Sequence, residues 1–447
     1  METKKELKIL LWMVVFFAGV FFLPLSSERF MTAIDATLDL SKWYAQEHVV
    51  MCLLPAFFIA GVIAVFISQG AVLKYFGANA KKWLSYTVAA VSGAILAVCS
   101  CTILPLFTSI YKRGAGLGPA IAFLYSGPAI SILSIILTWR ILGVEMGVAR
   151  MIGAVTFSVI IGLVMSFIYR KEEKAKKEEQ MNITVPPAKR SMSKTMFHFF
   201  TLVLILIFAN WGAPAADDTS SIWFYIFTYK WHITGALSLL LAYSLITILK
   251  IKWQWVIAGV IATASSAVLA YQFVPNPKLV PLVPMIVGIA VLSLVTLFDK
   301  RDPENKEWTL SAWGFAKQIM PLLAIGVVTA GFLLGSTHDD TAIAGVIPNE
   351  WIEWAVGGNS LLSNFFASFT GAFMYFATLT EVPIIQGLLA SGMGKGPALA
   401  LLLAGPSLSL PNMLVIRGVM GTQKTVVYVT LVIIMATISG LVYGTFF

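Results

Sequence analysis

The chain has 447 residues, 58% of them hydrophobic and only 12% charged, with a formal net charge of +9. Soluble domains carry about 25% charged residues, so the composition excludes a soluble protein. Without the alternating pattern of a membrane barrel, it leaves an all-α polytopic membrane protein. The Lys and Arg excess sits in short loops, where cytoplasmic bias places it, and points to lipid rather than nucleic acid as the partner.

A first apolar run over 9–25 follows Lys4, Lys5 and Lys8, and lacks a small-residue cleavage pattern. It reads as a retained span. A loop of mixed charge over 26–47 precedes a span at 48–68, and the loop 70–83 carries Lys74, Lys81 and Lys82. The apolar segment 84–111 would reach roughly 42 Å as one helix, longer than a hydrocarbon core of about 30 Å. It contains Cys99-Ser100-Cys101-Thr102 and Pro105, which offer a break. Spans follow at 117–139 and 144–169, then a charged cytoplasmic linker over 170–194. Spans near 195–212, 231–249, 253–274, 279–298 and 312–335 come next, then an acidic loop with Asp339 and Asp340. The long segment 361–391 and spans at 397–416 and 425–446 close the chain.

The long segment recurs. A shift of 278 positions carries Pro105 onto Pro383, Thr102 onto Thr380, and Gly114, Gly116, Gly118 and Pro119 onto Gly392, Gly394, Gly396 and Pro397. Gly127-Pro128 falls on Gly405-Pro406, and Gly143 on Gly421. A shared ladder of Gly and Pro marks an internal duplication. Charge then fixes a topology with the N-terminus inside. If 84–111 crosses fully, the basic linker lies outside, against the positive-inside rule. If 84–111 and 361–391 each enter and return, Lys112, Arg113, the linker, Lys300 and Arg417 all lie inside. Only Lys395 and a few isolated residues depart from the pattern. The expected organisation is therefore a first repeat over 1–169 with a re-entrant segment, the linker 170–194, intervening spans over 195–278 and a second repeat over 279–447. The two repeats are inverted. Inverted repeats with broken helices at the midplane are a transporter architecture. The competing topology has both long segments crossing, kinked at Pro105 and Pro383.

Depth follows from helical rise. Pro128 lies nine residues beyond Pro119, roughly 13 Å in. Gly127-Pro128 and Gly405-Pro406 there loosen their helices and free carbonyls. Together with the breaks at Pro105 and Pro383 they place a substrate site formed by Thr102, Thr380, both Gly-Pro pairs and Asn412, with Ser407 and Ser409 as further polar positions. Glu381, in Thr-Leu-Thr-Glu-Val-Pro, is an acid deep in an apolar segment, and its first-copy equivalent is Ile103. Such a group costs about 2.5–3.5 kcal/mol or more, so it must pair, take a proton or meet a cation. It reads as the coupling residue, with a proton as the coupling ion. The competing assignment is a structural Glu, capping a half-helix or paired with an Arg. Cys99 and Cys101 form a C-x-C that brings two soft ligands to one centre at a break, as a substrate site or a metal site, with Cys52 as a third candidate. Cysteine is also a common small hydrophobe in membranes. His48, His198, His232 and His338 read as interfacial. Nucleotide-binding and hydrolytic motifs are missing, so neither an enzyme nor a resident cofactor is expected.

The strings Cys-Ser-Cys-Thr-Ile-Leu-Pro-Leu-Phe, Tyr-Lys-Arg-Gly-Ala-Gly-Leu-Gly-Pro-Ala and Tyr-Ser-Gly-Pro-Ala-Ile resemble those of the predicted-permease family that includes the organoarsenical efflux permeases. The resemblance covers roughly 48–169 and 312–446. It implies a prokaryotic cytoplasmic-membrane transporter, and in the arsenical branch it implicates membrane cysteines in extruding trivalent organoarsenicals; Cys99 and Cys101 match that string. The expected function is a secondary permease, an exporter, working by alternating access on a thiophilic or sulfur-containing small molecule. A membrane thiol-redox protein using Cys99 and Cys101, and a channel for a small anion, are the alternatives.

Overall fold

A computed structural model describes residues 20–67, 80–96, 100–130, 132–181, 190–212, 222–277, 279–338, 341–347, 356–374, 381–390 and 392–447, with short pieces at 10, 13–14, 17–18 and 76–77. Among the described residues the fold is helical apart from one small hairpin, and six helices are long and apolar enough to cross a membrane. The protein is an all-α polytopic membrane protein.

The stretch read as a loop and a span is one continuous helical run, α1 Glu28–Tyr44, a π-helical turn Ala45–Leu53, and α2 Leu54–Val65. Ser27 caps its start, accepting from the Phe30 N–H, and its charges lie on a helix instead of ending one. The segment 84–111 is described as α3 Lys82–Leu96 and α4 Ser100–Lys112, with 97–99 between them outside the described residues. The span 117–139 is two helices, α5 Leu117–Ala129 and α6 Ile132–Leu142. Helix α7 Val144–Ile168 follows, and the charged linker begins as a helix, α8 Arg170–Met181. Four helices, α9 Met192–Ala209, α10 Ile222–Thr247, α11 Trp253–Phe273 and α12 Leu282–Leu297, separate the two halves. The second half has α13 Pro303–Leu334, a hairpin of β1 Gly335–His338 and β2 Thr341–Ala344, α14 Leu361–Phe373, α15 Glu381–Ala390, α16 Lys395–Ala404, α17 Leu410–Met420 and α18 Thr422–Phe446.

The shift of 278 now acts on structure. It carries the bounds of α6 onto those of α17, and the bounds of α7 onto those of α18. Packing repeats as well: α5 lies between α3 and α7 as α16 lies between α14 and α18. The glycine ladder has two causes. Gly114 and Gly392 take φ of 102° and 103°, a left-handed backbone that suits glycine. A Cβ at Gly162 would sit 2.6 Å from the Gly118 oxygen, and one at Gly440 the same distance from the Gly396 oxygen. Small residues let these helices approach closely.

The two halves meet crosswise. Helix α15 of the second packs on α6 of the first, and α4 of the first packs on α17 of the second. Reciprocal contacts of this kind make a twofold interface. The Tyr125 hydroxyl donates to the Leu403 carbonyl at 3.1 Å, and these are equivalent positions, so that contact marks the axis. Elsewhere, Arg190 at the end of the linker pairs with Asp302 and Glu304 at the start of α13. His198, expected at an interface with water, is instead buried in α9, its Nδ1 2.8 Å from the Ser244 hydroxyl and its ring edge-on to Trp308.

Candidate functional site

Among the described residues each half stops one helix short, α5 at Ile130 and α16 at Gly405. The junctions inside 84–111 and 361–391, at 97–99 and 375–380, lie outside the described residues, and the expected break residue Pro105 lies inside α4. Gly127 and Pro128 are buried in the last turn of α5, one residue before the helix stops. Pro128 withholds the donor that the Leu124 carbonyl would take. Gly405 ends α16, with Pro406 buried just beyond it. Ser409 then holds a left-handed backbone, φ 43°, and caps α17 by accepting from the Asn412 N–H at 3.4 Å. Asn412 is buried in the first turn of α17. Cys101 and Thr102 lie in the first turn of α4, and Pro105, buried, removes the donor for the Cys101 carbonyl. Pro383 is the third residue of α15. Cys99 and Thr380 lie outside the described residues. Cys52 is buried on the π-helical turn, which packs on α4.

Glu381 opens α15, where the positive end of a helix favours a carboxylate. It reaches across to the first half. Its Oε1 accepts from the Ser134 hydroxyl of α6 at 2.9 Å and from the Arg150 guanidinium of α7. Arg150 is 0% exposed and Glu381 1%. The guanidinium also donates from Nη1 to Thr138 at 2.8 Å and from Nε to the Ala129 carbonyl at 3.3 Å. Ala129 is the last residue of α5, so Arg150 satisfies a carbonyl at the break. The acid thus has an arginine partner, as the competing assignment required. That partner comes from the other half, so the pair is a bolt between the two halves as well as a local cap. Glu381 Oε2 is buried and meets no hydrogen-bonding group among the described residues.

Arg150, Ser134 and Thr138 were not singled out from the sequence. Arg150 sits six residues beyond Val144, and so roughly 9 Å into α7, a depth at which a cation needs a reason. The signal was available, because Glu381 demanded a partner. The register also shows the asymmetry: Arg150 corresponds to Tyr428, Ser134 to Asn412 and Glu381 to Ile103. The described residues hold no cluster of three His, Cys, Asp or Glu suited to a metal ion. A cavity of about 840 Å³ lies among α2 and α9–α12, lined mainly by groups such as Phe58, Leu202, Val260 and Met285. It shares no residue with the breaks.

Comparison with known proteins identifies a family. A family model described as a predicted permease matches residues 37–445. The UPF0718 protein MJ0584 of Methanocaldococcus jannaschii is 40% identical over 417 residues, covering 93% of this chain and 96% of that protein. The UPF0718 protein YcgR of Bacillus subtilis is 24% identical over 123 residues, 27% of this chain and 41% of its own length. YraQ of Escherichia coli, also a UPF0718 protein, is 30% identical over 112 residues, 25% of this chain and 28% of its own. No solved structure gives a significant match.

Proposed function

The chain belongs to the predicted-permease family, and from that premise we propose that it is a secondary exporter in a prokaryotic cytoplasmic membrane, its N-terminus inside, working by alternating access at the helix breaks. The single observation that carries this reading is the buried Arg150–Glu381 pair, which joins the two halves where their helices are interrupted. In this mechanism the two halves are inverted repeats, and the broken segments 84–111 and 361–391 are re-entrant. An ionised Glu381 holds α15 against α6 and α7. A proton arriving at Glu381 removes its charge and weakens the charge-assisted bond to Arg150, so the halves can separate. Proton entry and substrate exit are thereby linked through one contact.

The substrate in this reading is small and thiophilic or sulfur-containing, with trivalent organoarsenicals as the leading class. Cys101 lies in the first turn of α4, which packs on α17 at the other end of the crossed interface from α15 and Glu381, so a soft ligand held by Cys99 and Cys101 would sit away from the charged pair. The test is flux into everted vesicles under an imposed proton gradient, across a panel of trivalent arsenicals, pentavalent arsenicals and sulfur compounds. Saturable, gradient-dependent uptake of a trivalent arsenical is expected; gradient-independent leakage of every compound would refute the mechanism. Labelling of single cysteines at positions 112 and 339 by an impermeant reagent tests the inversion, with opposite sides expected.

A further inference from the structure

The second half repeats the register of the Arg150 network but not its chemistry. The shift of 278 takes Ala129 to Ser407, Ser134 to Asn412 and Arg150 to Tyr428. In the first half those positions are joined, directly or through Glu381. In the second half, Ser407 Oγ, Asn412 Oδ1 and Tyr428 OH are all buried, and none meets a hydrogen-bonding group among the described residues. Ile103, fully apolar, replaces the carboxylate. An orphaned buried polar atom destabilises a fold more than an apolar substitute would. Three in one register, Ser407 in the break before α17 and the other two on α17 and α18, which pack together as α6 and α7 do, call for a ligand that completes their bonds.

We propose that Ser407, Asn412 and Tyr428 form the polar subsite of the central site, and that it takes an uncharged molecule bearing hydroxyl groups. This rests on the permease reading above. The class follows from the atoms. Asn412 Oδ1 only accepts, so the ligand must donate. The Ser407 and Tyr428 hydroxyls both donate and accept, so a ligand hydroxyl suits each. Arg150 and Glu381 already neutralise one another, and the register of the second half adds no charged group to hold an ion. Asn412 lies in the first turn of α17, the helix that packs on α4, whose first turn contains Cys101. A neutral dihydroxy compound of a thiophilic element would satisfy both sets of groups.

The experiment uses the full chain in lipid nanodiscs and three probes that share a phenyl ring. Phenylboronic acid is uncharged at neutral pH and carries two hydroxyls without thiol affinity. Hydrated phenylarsine oxide carries two hydroxyls and is thiophilic. Phenylarsonate is an anion. Binding is read by equilibrium dialysis and stability by thermal denaturation. Both neutral probes should bind more tightly than phenylarsonate. Asn412→Ala and Tyr428→Phe should each weaken both neutral probes by about tenfold, the loss of one bond to the ligand. Tyr428→Phe should leave the melting temperature unchanged or raised, because the hydroxyl it removes has no partner among the described residues. The subsite is overturned if none of the probes binds, if phenylarsonate binds as tightly as the neutral pair, if neither variant changes affinity, or if Tyr428→Phe lowers the melting temperature. Vesicle flux separates the two readings. Flux that is indifferent to Tyr428→Phe leaves the permease and removes the subsite. Binding as expected without flux leaves the subsite and removes the permease.

Discussion

The two copies of the broken-helix unit share a backbone and differ in charge. One end of the crossed interface joins α15 to α6 and α7 through Glu381, Ser134 and Arg150. The other joins α4 to α17 and offers Ile103, Asn412 and, on α18, Tyr428. The first is ionic, with only the second carboxylate oxygen of Glu381 lacking a partner among the described residues; the second is neutral, and its Ser407, Asn412 and Tyr428 oxygens all lack one there. Under the proposed function, the ionic end would sense the driving ion and the neutral end the cargo, so divergence of the copies would divide those tasks between the ends of one pseudo-symmetric interface. This contrast can be broken or sharpened by substitution.

The largest effect is expected at the ion pair. Arg150→Ala strands a buried carboxylate, and such a loss destabilises a fold by roughly 3–5 kcal/mol. The double variant Arg150→Tyr with Glu381→Ile installs the residues of the other copy. Replacing a buried pair by well-packed uncharged groups is often neutral, so most of the stability should return, while proton-driven flux stays lost. Denaturant unfolding of the three proteins checks this. A double variant as unstable as the single would show that the two ends are not interchangeable in packing.

Glu381→Gln is gentler. The amide keeps the shape and can still accept from Ser134 and Arg150 through its oxygen. The protein should fold, and coupled flux should fall by about tenfold or more, the scale set by losing one charge-assisted bond of about 1.5–3 kcal/mol. The pH dependence of the remaining flux should disappear with the titrating group. Wild-type flux with its pH profile intact in this variant would reduce Glu381 to a structural cap.

The thiols probe the other end. Cys99→Ser and Cys101→Ser should each remove most uptake of a trivalent organoarsenical if, as proposed, two thiolates share one centre, because a hydroxyl is a hard substitute. The double variant should be little worse than either single, and Cys52→Ser, away from the pair in sequence, should be mild. Pentavalent arsenicals act as the control. A double Ser variant that transports like the wild type would sink the thiol-ligand idea.

Much of this arrangement was legible in the sequence, for physical reasons. Gly114 and Gly392 need a left-handed backbone, and Gly118 and Gly396 need a bare Cα under a neighbouring helix. Such requirements survive duplication, so the ladder exposed the repeat and its breaks. Glu381 stood out because an acid in hydrocarbon demands a partner. Arg150 did not, because a single Arg near the start of a span looks like an interfacial anchor. The helix from Glu28 was hidden by Asp35, Asp39, Lys42 and Glu47, charges that suggest a loop; it packs along α13, and Asp39 accepts from the Ser336 hydroxyl at 2.8 Å. Tyr428 carried no signal of its own. Only its register against Arg150 made it conspicuous.

The smallest effect separates two tyrosines that composition cannot tell apart. Tyr125 and Tyr428 are both fully buried. The Tyr125 hydroxyl donates across the axis to the Leu403 carbonyl, in the last turn of α16, while the Tyr428 hydroxyl has no partner among the described residues. Tyr125→Phe therefore withdraws a donor from a buried carbonyl and should cost about 1–3 kcal/mol, whereas Tyr428→Phe should cost nothing. Ligand affinity should move the opposite way, preserved in the first and lost in the second. Thermal denaturation and phenylboronic acid binding, measured on both variants, give the cross. If both lose stability alike, Tyr428 is a packing residue with a hidden bond. If both lose affinity alike, the axis contact reaches the ligand too, and the division of labour between the two ends gives way to a single shared site.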